Sequence, residues 1–119
     1  MATEFPVVIH HNPGCGTSRN TLQLIRDKGH EPKVVEYLKT GWTRPELERL
    51  LERMGKRPRD ILRVRGAPAE ELGLLKEGVS DKALLDAMAA HPILVERPIV
   101  ETPKGVRLCR PAENVVDLL

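Results

Sequence analysis

Apolar residues gather in short runs near both ends of the chain and in helical stripes through its middle. FPVVIHH (5–11) is an apolar run of strand length, broken by Pro13 and Gly14. Over 17–28 a helix is expected to bury Leu22 and Ile25 and to stop at Gly29. PKVVEYL (32–38), rich in β-branched residues, predicts the next strand. Strand, crossover helix and strand imply a parallel pair with a right-handed connection.

The middle reads as helix. TRPE (43–46) has the Thr-x-x-Glu pattern of a capping box, with proline in the first turn. Leu47, Leu50, Leu51 and Met54 follow at i, i+3, i+4 and i+7, and Gly55 ends the run. RDILR (59–63) predicts a short helical turn and PAEELGLL (68–75) another. Ser80 opens a further helix with Leu84, Leu85 and Met88 on one face. Beyond it, PIVET and VRLCR read as strands joined at PKG (103–105), a β-hairpin, and PAENVVDLL (111–119) as a closing helix. The expected fold is α/β, with βαβ, a helical middle at about 43–90 and ββα around a small mixed sheet, in one domain of 119 residues.

Composition narrows the function classes. The 119 residues can bury a core without a disulfide or metal staple. Phe5, Tyr37 and Trp42 are the only aromatics, too few for a stacking platform on single-stranded nucleic acid. A net charge of +2 does not imply nucleic acid either. The start, MATEFPVVI, has no basic region and too short an apolar run for a signal peptide, and no stretch is long enough to span a bilayer. With only Cys15 and Cys109, far apart, a structural disulfide is not expected, and a reduced cytoplasmic protein is.

The chemistry centres on HNPGCGTSRNT (11–21), where a lone cysteine stands at the junction of strand and helix. A helix start favours an anion, and the thiolate is the reactive form of cysteine. An ordinary thiol with pKa near 8.5 is only about 3% ionised at pH 7. Lowering that pKa by two units needs roughly 2.7 kcal/mol. The dipole supplies about 0.3 to 1 kcal/mol, so direct N–H contacts and cations must supply the rest. His11, if protonated, is one candidate cation, and any arginine the fold brings in is another.

Three thiol chemistries are excluded by what stands nearby. Position 18 is Ser18, so the pattern is Cys-x-x-Ser and not a dithiol; position 21 is Thr21, so there is no Cys-x5-Arg phosphatase loop. Metal is not expected, because Cys and His are too few at ligand spacing and His10 and His11 point to opposite faces of a strand. Strand alternation sets Cys109 opposite Arg110, so if Arg110 reaches the site Cys109 faces away as a buried apolar residue. A nucleophile without a resolving partner must be regenerated by an external thiol.

HNPGCGTSRNTL, HPILVERPIV and GVRLCRP, in this order and spacing, resemble the glutaredoxin-coupled arsenate reductases from about residue 7 to the C-terminus. The resemblance implies a thioredoxin-like fold and a reaction that takes arsenate to arsenite. Cys15 matches the nucleophile that forms a Cys–arsenate adduct, and His11 the histidine credited with favouring the thiolate. Arg63, Arg97 and Arg110 match three arginines that hold the oxyanion. Glutathione is the implied co-substrate and glutaredoxin the partner that clears the mixed disulfide, with no bound cofactor and a monomeric protein. The peptide before the matching proline is cis in this fold, which makes Arg97–Pro98 the candidate. Arg65 competes with Arg63, Arg19 serves either substrate or a local contact, and Arg107 is expected at the surface.

Three other readings stand beside this one: a redox-sensing thioredoxin-like regulator that binds RNA polymerase, a monothiol glutaredoxin suggested by CGTS, and a family member without arsenate activity. The arginine set separates the enzyme from the first two, since neither has a use for an oxyanion triangle.

Overall fold

The computed structural model describes residues 7–65 and 67–119. Phe5 and Pro6, the expected first residues of the opening strand, lie outside the described residues. The chain divides into two compact units. One runs through Thr40 and resumes from Arg97 to Leu119; the other is Gly41–Glu96. Among the described residues no helix is long and apolar enough to cross a membrane.

The first unit holds one four-stranded sheet, built from β1 (Val8–His11), β2 (Lys33–Glu36), β3 (Ile99–Thr102) and β4 (Gly105–Leu108) in the order β2-β1-β3-β4. β1 and β2 are parallel, as the βαβ pattern requires, with Ile9 opposite Val34. β3 runs antiparallel to both β1 and β4, so the sheet is mixed. Helix α1 (Gly16–Asp27) makes the crossover, and Gly29 at φ 88 turns the chain out of it. Val7, Ile9, Ile25, Val100, Cys109, Val115 and Leu118 form one buried cluster, with Leu22 half-buried at its edge. A fully buried Ile25 contributes roughly 1.5–3 kcal/mol by leaving water.

Three expectations for this unit need correction. The second strand ends at Glu36, and Tyr37–Thr40 coils into a helical turn, α2, which buries Tyr37. Apolar character continues through YL, so the pattern gave no sign of the change. The last strand ends at Leu108, leaving Cys109 and Arg110 just beyond it. The closing segment is a 3-10 helix, Ala112–Leu118, with Pro111 as its N-cap and not its first helical residue. Arg97–Pro98 is cis, as expected; Arg110–Pro111, which nothing in the pattern marked, is cis as well.

The second unit is helical. Thr43 caps α3 (Arg44–Met54) by accepting the Glu46 N–H at 3.2 Å, and Gly55 closes it in the left-handed conformation. Ser80 caps α4 (Asp81–Ala90), accepting the Ala83 N–H at 3.1 Å. The two helices pack on each other, and α4 also packs on the 3-10 turns Pro58–Ile61 and Pro92–Leu94. Residues 68–75 form a single helical turn, as expected. Gly73 at φ 73 lets Leu74 N–H reach Ala69 C=O and its own N–H reach Glu70 C=O, which shuts the helix after one turn.

Candidate active site

The site is built where β1 gives way to α1. Cys15 occupies the N-cap position of α1, with extended backbone (φ −104°, ψ 122°). An N-cap side chain faces the unpaired amides of the first helical turn. Ser18 is the third helical residue, and its backbone N–H acts on the Cys15 sulfur without closing a capping hydrogen bond.

Two arginines arrive from the far end of the chain. Arg97, just before β3, is buried, and its guanidinium acts on the sulfur both as hydrogen-bond donor and as charge. Arg110, just after β4, sets Nη1 3.8 Å from the Cys15 Sγ. The same Nη1 donates to the Arg97 backbone oxygen at 2.9 Å, so one arginine steadies the segment that carries the other. Burial alone would raise the Cys15 pKa; the Ser18 amide, Arg97 and Arg110 outweigh it and bring the thiol down to about 7. Near neutral pH the sulfur is therefore about half ionised.

Arg97 is also under-used. Its Nε and Nη1 are buried and have no hydrogen-bond partner among the described residues. Buried donors of this kind are costly unless a ligand or water satisfies them. A guanidinium edge left open beside a sulfur with thiolate character suits a compact oxyanion.

His11 was a candidate cation only if protonated, and its surroundings disfavour that form. Burial lowers its pKa most; Glu36 pulls the other way, and Arg26 and Arg19 lower it further. His11 is thus neutral at pH 7. Its Nδ1 lies 2.6 Å from the Ser18 hydroxyl, not on Cys15. Ser18 Oγ also accepts the Asn12 N–H at 3.1 Å, so one hydroxyl ties the end of β1 to the first turn of α1. His11 therefore touches the residue whose amide faces the sulfur, and not the sulfur itself.

Ser18 and Asn12 stand beside the site although the sequence pattern does not single them out. Ser18 is fully buried and Asn12 nearly so. The usable signal was positional: a residue three after an N-cap turns its amide towards the capping side chain. Arg19 is exposed and makes the local contact, donating from Nη1 to the Pro13 oxygen at 2.8 Å. Arg107 donates to the Asn114 oxygen at 2.8 Å and stays half-exposed, as expected. Cys109 faces the core, and burial pushes its thiol up to about 12.

Arg63 belongs to the second unit. Its Nη1 pairs with Glu96 Oε1 at 2.7 Å, and its Nε is buried without a partner among the described residues. Arg65 is exposed.

A family model described as the ArsC family matches residues 10–118. An arsenate reductase of Synechocystis is 59% identical over 117 residues, which cover 98% of this chain and 81% of that protein. An arsenate reductase of Escherichia coli K12 is 52% identical over 113 residues, 95% of this chain and 80% of its relative. Among solved structures, an arsenate reductase from Vibrio cholerae superposes with a TM-score of 0.92 at 42% identity, covering 98% of this chain and all (100%) of that one. The mixed sheet, its crossover helix and the segment Arg97–Leu108 are the thioredoxin-like fold that the sequence implied. By motif, fold and identity alike, the chain belongs to the ArsC family.

Proposed function

We propose that this protein reduces arsenate to arsenite, with Cys15 as the nucleophile and glutathione and glutaredoxin as the source of reducing thiols. The observation that carries the reading is the sulfur at a helix N-cap, with a pKa near 7, beside a buried arginine that keeps two N–H groups unpaired. Arsenate and thiolate are both anions, and they repel unless cations lie between them. Arg97 and Arg110 supply two such cations, and their forks can hold the oxygens as charge shifts during attack. Arg63 is the proposed third, favoured over the exposed Arg65 because its side chain is held by Glu96.

The Cys15 thiolate attacks arsenic, and an arsenate hydroxyl takes up a proton from solvent and leaves as water, giving a Cys15–S–As(V) adduct. A glutathione thiolate then attacks the Cys15 sulfur. The S–As bond breaks, its electron pair stays on arsenic, and arsenite leaves as As(III). The two electrons come from the two thiols, which are left as a Cys15–glutathione disulfide. The thiol of glutaredoxin takes the glutathionyl group and frees Cys15. Cys109, buried and held protonated, cannot resolve the adduct, which is why an outside thiol is needed. His11 contributes through Ser18, as a neutral group. We further propose that the whole chain works as one thioredoxin-like domain, with the helical unit as its insertion, in the cytoplasm and as a monomer.

The test is arsenite production with glutathione and glutaredoxin. The natural protein is expected to turn over and Cys15→Ser to give none. Arg97→Lys is expected to lose at least about tenfold more activity than Arg107→Lys, because a point charge cannot replace a bidentate fork. Equal rates for the natural protein and Cys15→Ser would overturn the enzyme reading in favour of a regulator or an inactive family member.

A further inference from the structure

The turn ahead of Cys15 has a conformation its sequence would not choose. Asn12-Pro13-Gly14-Cys15 closes with the Cys15 N–H on the Asn12 oxygen at 3.0 Å. Pro-Gly in the two central places is the signature of a type II turn, which needs a positive φ at the glycine. Gly14 is not among the glycines with positive φ, which are Gly29, Gly41, Gly55, Gly73, Gly78 and Gly105. The central peptide is therefore in the opposite orientation, the one type I turns use. The two orientations differ by turning over a single peptide plane.

That plane is held at both ends. Its N–H, on Gly14, donates to Asn12 Oδ1 at 2.9 Å. Its C=O, on Pro13, accepts from Arg19 Nη1 at 2.8 Å. Turning the plane over would break both bonds together. We propose that the Asn12 side chain and the Arg19 guanidinium are positioning residues that clamp the Pro13–Gly14 peptide, and so keep Cys15 aligned with the first amides of α1. The proposal rests on Cys15 being the reactive nucleophile. It gives a task to two residues of HNPGCGTSRNT that the reaction itself leaves idle.

The clamp makes an unusual demand on Gly14. An L-residue at that position resists positive φ, and with it the flipped turn. In the natural protein an added Cβ would stand 3.3 Å from Asn12 Oδ1 and crowd the clamp. With Asn12 shortened, that crowding is gone, and alanine at position 14 should do the clamp's work through the backbone alone.

The experiment measures thiolate formation at Cys15 by ultraviolet absorbance and iodoacetamide alkylation across pH, without arsenate. Asn12→Ala is expected to raise the thiol pKa and slow alkylation at pH 7 on the order of five- to tenfold, as for one lost hydrogen bond. Asn12→Ser, which keeps a short acceptor, should recover part of it. The double variant Asn12→Ala/Gly14→Ala should recover most of it. Arg19→Ala should move the titration the same way, and Arg19→Gln, a donor without charge, should not. Natural titration in Asn12→Ala, or a double variant no better than the single, would overturn the clamp. If Asn12→Ala does not fold, the exposed Arg19 decides: a natural titration in Arg19→Ala overturns the proposal. Because no arsenate is present, a failure here is separate from a failure of the arsenate reading, which would show as missing arsenite with a normal titration.

Discussion

Cys15 is poised by opposition between burial, which resists its ionisation, and the Ser18 amide and two arginines, which favour it. The sign of the pH dependence follows. A folded pKa of about 7, below that of an ordinary thiol, means that ionised Cys15 stabilises the folded state. That contribution is full above pH 9 and is lost as pH falls through 7. Alkylation of Cys15 should accordingly reach half its maximal rate near pH 7. The stability advantage of the natural protein over Cys15→Ser should grow between pH 7 and 9 in chemical denaturation. A thiol that alkylates only above pH 8.5 would show that the arginines do not act on it. His11 teaches the complementary lesson: a histidine beside a reactive cysteine invites an ion-pair reading, yet its burial keeps it neutral.

At the scale of elements, the signals that held were those with a local physical cause. Thr43, Glu46 and Gly55 mark α3 because capping is a contact between residues three or four apart, visible in any window of sequence. Thr43→Ala should therefore lower stability by about 1 kcal/mol, read as a shift in denaturant midpoint with an unchanged slope. Residues 68–75 were legible as a short helical turn for the same reason, and Gly73 closes it with a positive φ. Tyr37 did mislead. It is buried in a helical turn as completely as it would be in a strand, so its apolar character could not separate the two. Nothing in one sequence marks Ser18 as the partner of His11, since that pair closes across the turn between a strand and a helix.

For the molecule as a whole, the sheet was legible because βαβ and hairpin connections leave few choices of order. Arg97 and Arg110 meeting at Cys15 was not readable from spacing, with Arg110 standing 95 positions along the chain from the cysteine. Only the resemblance pointed to it, and only coordinates show the Arg97 edge with its donors unspent. The other sulfur has a use of its own. Cys109 sits in the sheet unit's core with no exposed surface, so a thiol reagent can reach it only when that core comes apart. The folded protein should consume one equivalent of a disulfide reagent quickly and a second only as fast as the core opens. With position 15 changed to serine, the remaining thiol becomes a clock, its slow labelling counting rare excursions of the sheet unit into solvent-exposed forms. Two prompt equivalents from the native protein would mean that the core around Val100 and Val115 is looser than its packing implies.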